Sequence, residues 1–427
     1  MMFNAQDKRR PGAYVNFKSD AKPKSVLADN GLPALMLTEK AWGASGFVTV
    51  DADTDFVEVF GKSIDQLVPI REALKGSRQV LVYVPTANSA VKATVTDESF
   101  TVTAKYEGTA GNGIVVVVLK GTDGKTKYQT IFKNRTVDTQ VVADGELPKA
   151  NAFVEFTGTA PNANKTLTLS GGTDGTVTNS AVQDFLAGLD TQTFTTVALG
   201  TDTETSKALV AEKVKEWRSF GRGITAIIND YAKADYEGVV SVSNGVTLAT
   251  DKLTAKDAVY YVAAVMANAG TNSLTYHAYD GAVDCERKSD AETIKLLNAG
   301  NIVFTYRNGK VLIEQDINTL VTLTTEKGVD FTKNKMIRTM DIINAAVQTI
   351  FVEQFAGKMP NDLDGREVFK QQVITRVLDP LVSQKALSYA VEELTVTEGA
   401  SKEAVVVNLG VRITDAMEKL YMTVVCK

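Results

Sequence analysis

A single histidine, His277, is present in the chain, so a Ser-His-Asp or Cys-His nucleophilic arrangement can form only around it, and a metal site needing two imidazoles is excluded. Its setting, Ser273-Leu-Thr-Tyr-His-Ala-Tyr279, brings no Cys or carboxylate at ligand spacing, although Asp280 is near in sequence, and it reads as a structural or surface histidine. Gly61-Lys62-Ser63 has the end of a phosphate-binding loop, but that loop needs a glycine where Phe56 stands. Gly108-Thr-Ala-Gly-Asn-Gly113 has the glycine density of a phosphate cradle. It is followed by Ile114-Val-Val-Val-Val-Leu119, a β run without the helix N-terminus that would hold an anion. A tight loop before a strand is therefore predicted. Asp51, Asp53 and Asp55 alternate as in a calcium loop, but Phe56 and Lys62 occupy the positions that need Gly and Glu, so a solvated turn is predicted.

Cys285 and Cys426 are the only cysteines, too few for a disulfide framework, and they fit two inert thiols in a reducing compartment. With 427 residues, 44% hydrophobic and 23% charged, the chain can bury two to four cores. A formal charge of −5 makes no broad positive field, which argues against direct nucleic-acid binding. The N-terminal stretch MMFNAQDKRRPGAYV lacks the apolar core of a secretory signal, and no run approaches the ~18–20 apolar residues of a membrane span. Folding in a cytoplasm without membrane insertion is expected.

The elements that would position any site alternate in character. Residues 1–22 form a basic, polar arm around a short strand, Ala13–Phe17, which cannot bury a face alone and must join a sheet elsewhere. Apolar runs at Leu35–Leu37, Phe56–Phe60 and Val80–Val84, with a helical stretch Ile64–Leu74, have the rhythm of a layered α/β unit. Residues 93–172 change to Thr, Val and Gly in short strands with Asp-Gly turns, predicting an inserted all-β domain. The α/β rhythm resumes from 173 to 330, with helices near 180–188, 204–219 and 255–269, so 23–92 and 173–330 are assigned to one middle domain. Residues 331–427 are assigned to a C-terminal domain. It opens with a long helix, about 333–356, whose Met336, Met340, Ile343, Val347, Ile350 and Phe355 mark one apolar stripe. The segments 404–413 and 419–426 predict a terminal β-hairpin arm, which again needs a sheet to join. The predicted fold class is α/β (mixed α+β): a multidomain chain with an α/β core, an all-β insert and terminal β arms.

Three stretches in order, Ile313-Glu-Gln-Asp-Ile-Asn-Thr-Leu-Val-Thr322, Phe331-Thr-Lys-Asn-Lys-Met-Ile-Arg-Thr-Met-Asp341 and Gly357-Lys-Met-Pro-Asn-Asp-Leu-Asp-Gly-Arg366, resemble the sheath proteins of contractile-tailed phages and phage-tail-like bacteriocins. Arg10-Pro-Gly-Ala-Tyr-Val15, the 108–113 loop and Asp415-Ala-Met-Glu-Lys-Leu-Tyr-Met-Thr-Val424 are similar too, so the resemblance runs nearly end to end.

The resemblance implies a structural subunit without cofactor or catalytic site. It would polymerise with itself as stacked hexameric rings around an inner tail tube protein, between baseplate and tail terminator proteins, and contract once to drive the tube through a cell envelope. Such a subunit would be assembled in the bacterial host cytoplasm and reside in a virion tail or tail-like particle. Terminal arms would link neighbours by strand addition. The residues read as carrying those links are Pro11, Tyr14, Val15 and Phe17 at one end, and Val405, Val407, Leu409, Val411, Leu420, Tyr421, Met422 and Val424 at the other. The basic start of the long helix, Lys333, Lys335 and Arg338, is read as meeting an acidic tube surface; the alternative is a helix whose exposed side happens to be charged. Two rival classes remain at this point: an α/β enzyme with a β accessory domain, and a surface adhesin.

Overall fold

The computed structural model describes residues 31–178 and 180–426. The predicted arm 1–22, with Pro11, Tyr14, Val15 and Phe17, lies outside the described residues.

Strands covered on both faces read as unbroken apolar runs, because neither side of the pleat meets water. Pro33–Met36, Thr196–Leu199, Thr225–Asn229 and Val239–Val242 are buried at every position. They form the centre of a seven-stranded sheet ordered Asn301–Ile302, Val239–Val242, Thr225–Asn229, Thr196–Leu199, Pro33–Met36, Gln79–Val84 and Gly46–Asp51. Every pairing is parallel except the last, which runs antiparallel from Gly46 opposite Val84 to Asp51 opposite Gln79. No strand is predicted at 46–51 from the sequence, since a half-covered edge strand lacks a central strand's apolar run. Conversely, the apolar run Phe56–Phe60 is a short helix, begun by Asp55, whose carboxylate accepts from the Glu58 amide at 3.1 Å.

Helices lie on both faces, as parallel crossovers require. Ala255–Asn268 is buried from Ala258 through Met266 and packs with Val68–Gly76 over one face. Ser180–Gly188 and Glu204–Ser219 bury Phe185, Val210, Val214 and Trp217 against the other. The predicted helix Ile64–Leu74 begins later, at Val68, with Pro69 in its first turn, where a missing amide hydrogen is harmless.

The bridges Asn88–Thr176, Val91–Thr173 and Thr94–Ser170 join the two stems of the β insert. Beyond them a four-stranded sheet (Lys165–Thr168, Ile114–Lys120, Lys125–Phe132, Arg135–Ala143) and a three-stranded sheet (Lys92–Asp97, Phe100–Glu107, Val154–Gly158) share a core that includes Val102, Ile114, Val116, Tyr128 and Phe132. Trp42, remote in sequence, completes that core: it stacks on Phe132 at 5.3 Å between ring centres and donates its indole N–H to the Glu58 carbonyl at 3.0 Å.

Two compact units emerge. One runs to Asp341 and takes in the chain again from Asp415; the other is Ile342–Thr414. In the second, π-helical turns Phe351–Phe355 and Ile374–Leu378 flank helix Leu363–Val373, and Ile343, Ile350, Phe355, Phe369, Val373, Val377 and Leu381 form its core. Gly357, at φ 69°, turns the chain after the first of these, a conformation that strains any residue with a Cβ.

The predicted terminal hairpin is not formed. Val405–Leu409 pairs antiparallel with the upstream strand Leu394–Glu398, from Leu394 opposite Leu409 to Glu398 opposite Val405, and Arg412–Ile413 pairs with Leu387–Ser388. Val407, Leu409, Val411 and Ile413 pack against the core of this unit, a burial that pairing with 419–426 would not supply. Residues 419–426 have no strand partner among the described residues.

Candidate assembly site at the C-terminal segment

The residues that could have done chemistry are occupied structurally. His277 lies at the rim of a cavity of about 680 Å³, with Nε2 at 3.3 Å from the Tyr261 hydroxyl. Burial pushes that phenol up to about 12, so the partner is neutral at physiological pH and is no base. On the same wall Tyr279 donates to the fully buried Glu72 at 2.8 Å, and Arg71 and Lys75 neutralise this carboxylate at 2.9 and 2.8 Å. The Gly108–Gly113 loop is a single 3-10 turn leading into strand Ile114–Lys120, and its Thr109 amide and hydroxyl both donate to Asp174. A carboxylate of the chain thus sits where a phosphate would have to bind. Asp55, besides capping its helix, pairs with Arg135 at 2.9 Å. Among the described residues no group of three or more His, Cys, Asp or Glu side chains could hold a metal ion, and no helix is long and apolar enough to cross a membrane.

The conspicuous polar structure lies where helix Asn334–Ile350 begins. Asp316 is 3% exposed, and four donors meet its carboxylate: the Leu274 amide at 3.0 Å, Asn334 Nδ2 at 3.0 Å, and Arg338 at 2.7 and 3.4 Å. Its carbonyl also accepts from the Asn334 amide at 3.1 Å. Arg338 also donates to the carbonyls of Asn272 and Gly270. Asn318 binds the Phe331 carbonyl at 2.8 Å, and the Thr319 hydroxyl donates to the Tyr236 carbonyl at 3.0 Å. One turn after Arg338, Asp341 accepts both guanidinium arms of Arg218 at 2.8 Å. Gly223 and Gly238 leave room for this pair, since a Cβ on Gly223 would sit 2.6 Å from the Asp341 side chain, and one on Gly238 2.6 Å from Arg218 Cδ. Burial pushes the Asp341 carboxyl up from its ordinary value, and the guanidinium opposes that shift. Two ion pairs on successive turns therefore clamp the start of the helix to the middle body.

Against this clamp lies the root of the C-terminal segment. Lys333 pairs with Asp415 and, at 3.2 Å, with Glu418 Oε2, while Thr275 donates to Glu418 Oε1 at 2.8 Å. The same Thr275 hydroxyl accepts from the Asp316 amide at 3.1 Å, so one threonine joins root and clamp. Burial works against the Lys333 ammonium, but its two carboxylates outweigh that and hold its pKa above the ordinary lysine value. Asp415 is likewise raised by burial and lowered more by Lys333, the Ala416 amide and Lys335, and ends below its ordinary value. Past Glu418 the segment leaves the surface: Leu420, Tyr421, Met422, Val424 and Val425 are 72–89% exposed.

The residues read from sequence as the C-terminal link thus divide. Val405, Val407, Leu409 and Val411 belong to the second unit's own sheet and core margin, whereas Leu420, Tyr421, Met422 and Val424 are large, exposed and without a strand partner among the described residues. Of the basic trio read as a tube-binding face, Arg338 is 8% exposed inside the clamp and so is not surface charge, while Lys333 is partly exposed and paired with the chain's own carboxylates. Lys335 remains half-exposed. Sequence reasoning missed Asp316, Thr275, Asn318 and Arg218. Asp316 and Asn318 stand in the 313–322 stretch that carries the family resemblance, which is the one signal that could have marked them.

Residues 175–319 match the sequence model of the phage tail sheath protein central domain, and residues 326–427 that of the phage tail sheath C-terminal domain. A Bacillus subtilis protein named phage-like element PBSX protein XkdK is 32% identical over 458 residues, covering 98% of this chain and 97% of that protein. The crystal structure of a sheath tail protein from Desulfitobacterium hafniense matches with TM-score 0.84 and 36% identity, over 96% of this chain and 99% of that one. A sheath tail protein from Listeria innocua matches with TM-score 0.79 and 30% identity, over 94% and 96% of the two chains.

Proposed function

We propose, because the chain belongs to the phage tail sheath family, that it polymerises as stacked hexameric rings around an inner tail tube and contracts once to drive that tube through a target envelope. Its role is structural, and its partners are copies of itself, the tube, the baseplate and the tail terminator. It works in a virion tail or tail-like particle assembled in the bacterial host cytoplasm. The observation that carries the reading is the segment after Glu418, whose large apolar side chains are open to water and would be costly to leave so in a finished monomer. The ribbon Leu394–Glu398 with Val405–Leu409 has only two strands among the described residues, so its outer backbone groups are free to accept another. A strand passed from one subunit to the next is a heterologous contact, which propagates instead of closing a dimer. The N-terminal residues Pro11, Tyr14, Val15 and Phe17 are proposed as the second such link.

Contraction then needs no fuel site. Its work comes from the free-energy difference between two packings of the same subunits, held apart by a barrier. The decisive experiment is truncation after Glu418, not after Ala404, since the strand Val405–Leu409 is part of the second unit's own fold. The shortened protein is expected to keep the thermal midpoint of the full chain and to form no rods in negative-stain micrographs. Normal rods would sink the reading.

A further inference from the structure

We infer that Lys333 is the positioning residue of the C-terminal arm: with Thr275 it grips Asp415 and Glu418 and so sets where the exposed residues 419–426 leave the subunit to meet a neighbouring copy. The inference rests on the sheath reading above. Glu418 is held through both carboxylate oxygens, Oε2 by Lys333 at 3.2 Å and Oε1 by Thr275 at 2.8 Å. Lys333 holds Asp415 as well, three residues earlier. Two restraints three residues apart fix a direction and not merely a point. The Glu418 side chain is only 15% exposed although its neighbour Met417 lies fully open to water, and Leu420 beyond it is 86% exposed. The socket is itself anchored, because the Thr275 hydroxyl accepts from the Asp316 amide and the Asp316 carboxylate is bound by Arg338 and Asn334.

An ion pair this accessible adds little to folding, so its contribution lies in preorganisation. A segment that starts from a fixed root loses less freedom on reaching its partner than one free from residue 414 onward. In an assembly of many identical contacts, a small penalty at each one raises the concentration at which rods first form.

The test compares full-length wild type, Lys333→Ala, Lys333→Arg, Glu418→Lys and the double variant Asp415→Asn with Glu418→Gln, and reads critical concentration for rod formation and thermal midpoint. Lys333→Ala and Glu418→Lys are expected to raise the critical concentration several-fold at an unchanged midpoint. Lys333→Arg is expected to stay near wild type, and the double variant to match Lys333→Ala. Rods from Lys333→Ala at the wild-type concentration would overturn the inference while leaving the sheath reading standing. A loss in Lys333→Ala with no loss in the Asp415→Asn, Glu418→Gln double variant would also overturn it, by showing that Lys333 serves another partner. Wild-type protein that forms no rods would overturn the sheath reading and this inference with it.

Discussion

The clamp and the arm root lie five residues apart on one helix start, use the same ammonium- or guanidinium-to-carboxylate chemistry, and differ in burial. Arg338 and Asp316 have side chains 9% and 1% exposed, whereas Lys333 and Asp415 are 25% and 36% exposed. In the clamp, desolvation makes every unmade bond expensive, so each lone pair of Asp316 is filled and the geometry is rigid. At the root, water competes for both partners, and the contact can be made and broken without endangering the fold.

The strongest way to break this comparison is Arg338→Met. It leaves Asp316 charged and buried without its counter-ion, and is expected to destabilise the middle body by roughly 3–5 kcal/mol in urea denaturation. A loss below about 1 kcal/mol would place the clamp in the same class as the root. Gly223→Ala should come next. Its Cβ would press on Asp341, which is held bidentately by Arg218, and about 1–3 kcal/mol of destabilisation is expected from overpacking. Lys333→Ala, by contrast, should leave the denaturation curve in place and change only assembly.

The smallest effect is in pH. Asp415 has a folded pKa below its ordinary 3.8, so the contribution of its pairing is present above that value and disappears as pH falls through the lower folded one. Cys426 is exposed and Cys285 buried, which allows a dye to be placed selectively at the tip of the arm. Dye anisotropy is expected to be flat from neutral pH down to about 4 and to fall only in stronger acid, from the carboxylate values usual for such pairs. In Lys333→Ala it should be low throughout. A transition in the wild type near neutral pH would show that some other group governs the root.

Local patterning made much of the fold legible. The apolar runs at 35–37 and 80–84 are sheet strands, and the stripe through Ile343, Val347 and Ile350 marks the long helix. The edge strand Gly46–Asp51 escaped because it is only partly covered: Val50 is buried, Phe47 and Val48 are partly buried against different cores, and Thr49 is exposed. The terminal hairpin was misread because both segments are strand-like and adjacent in sequence, and nothing local tells a strand that its partner lies upstream. For the assembly site, Leu420 to Val424 were legible as apolar residues in need of cover, while the intrachain partners of Lys333 and Arg338 at the helix start were not.

By itself the sequence determined the classes of layer, the apolar faces and the order of motifs that marks the family, because periodicity and motif spacing are properties of neighbouring residues. Only the tertiary structure decided which charges meet. Arg338 finds Asp316 from 22 residues away, Lys333 finds Asp415 from 82 and Arg218 finds Asp341 from 123. A side chain's charge is written locally, but whether it is buried against a counter-ion, gripping the chain's own tail or free for another molecule depends on which distant segments the fold brings beside it.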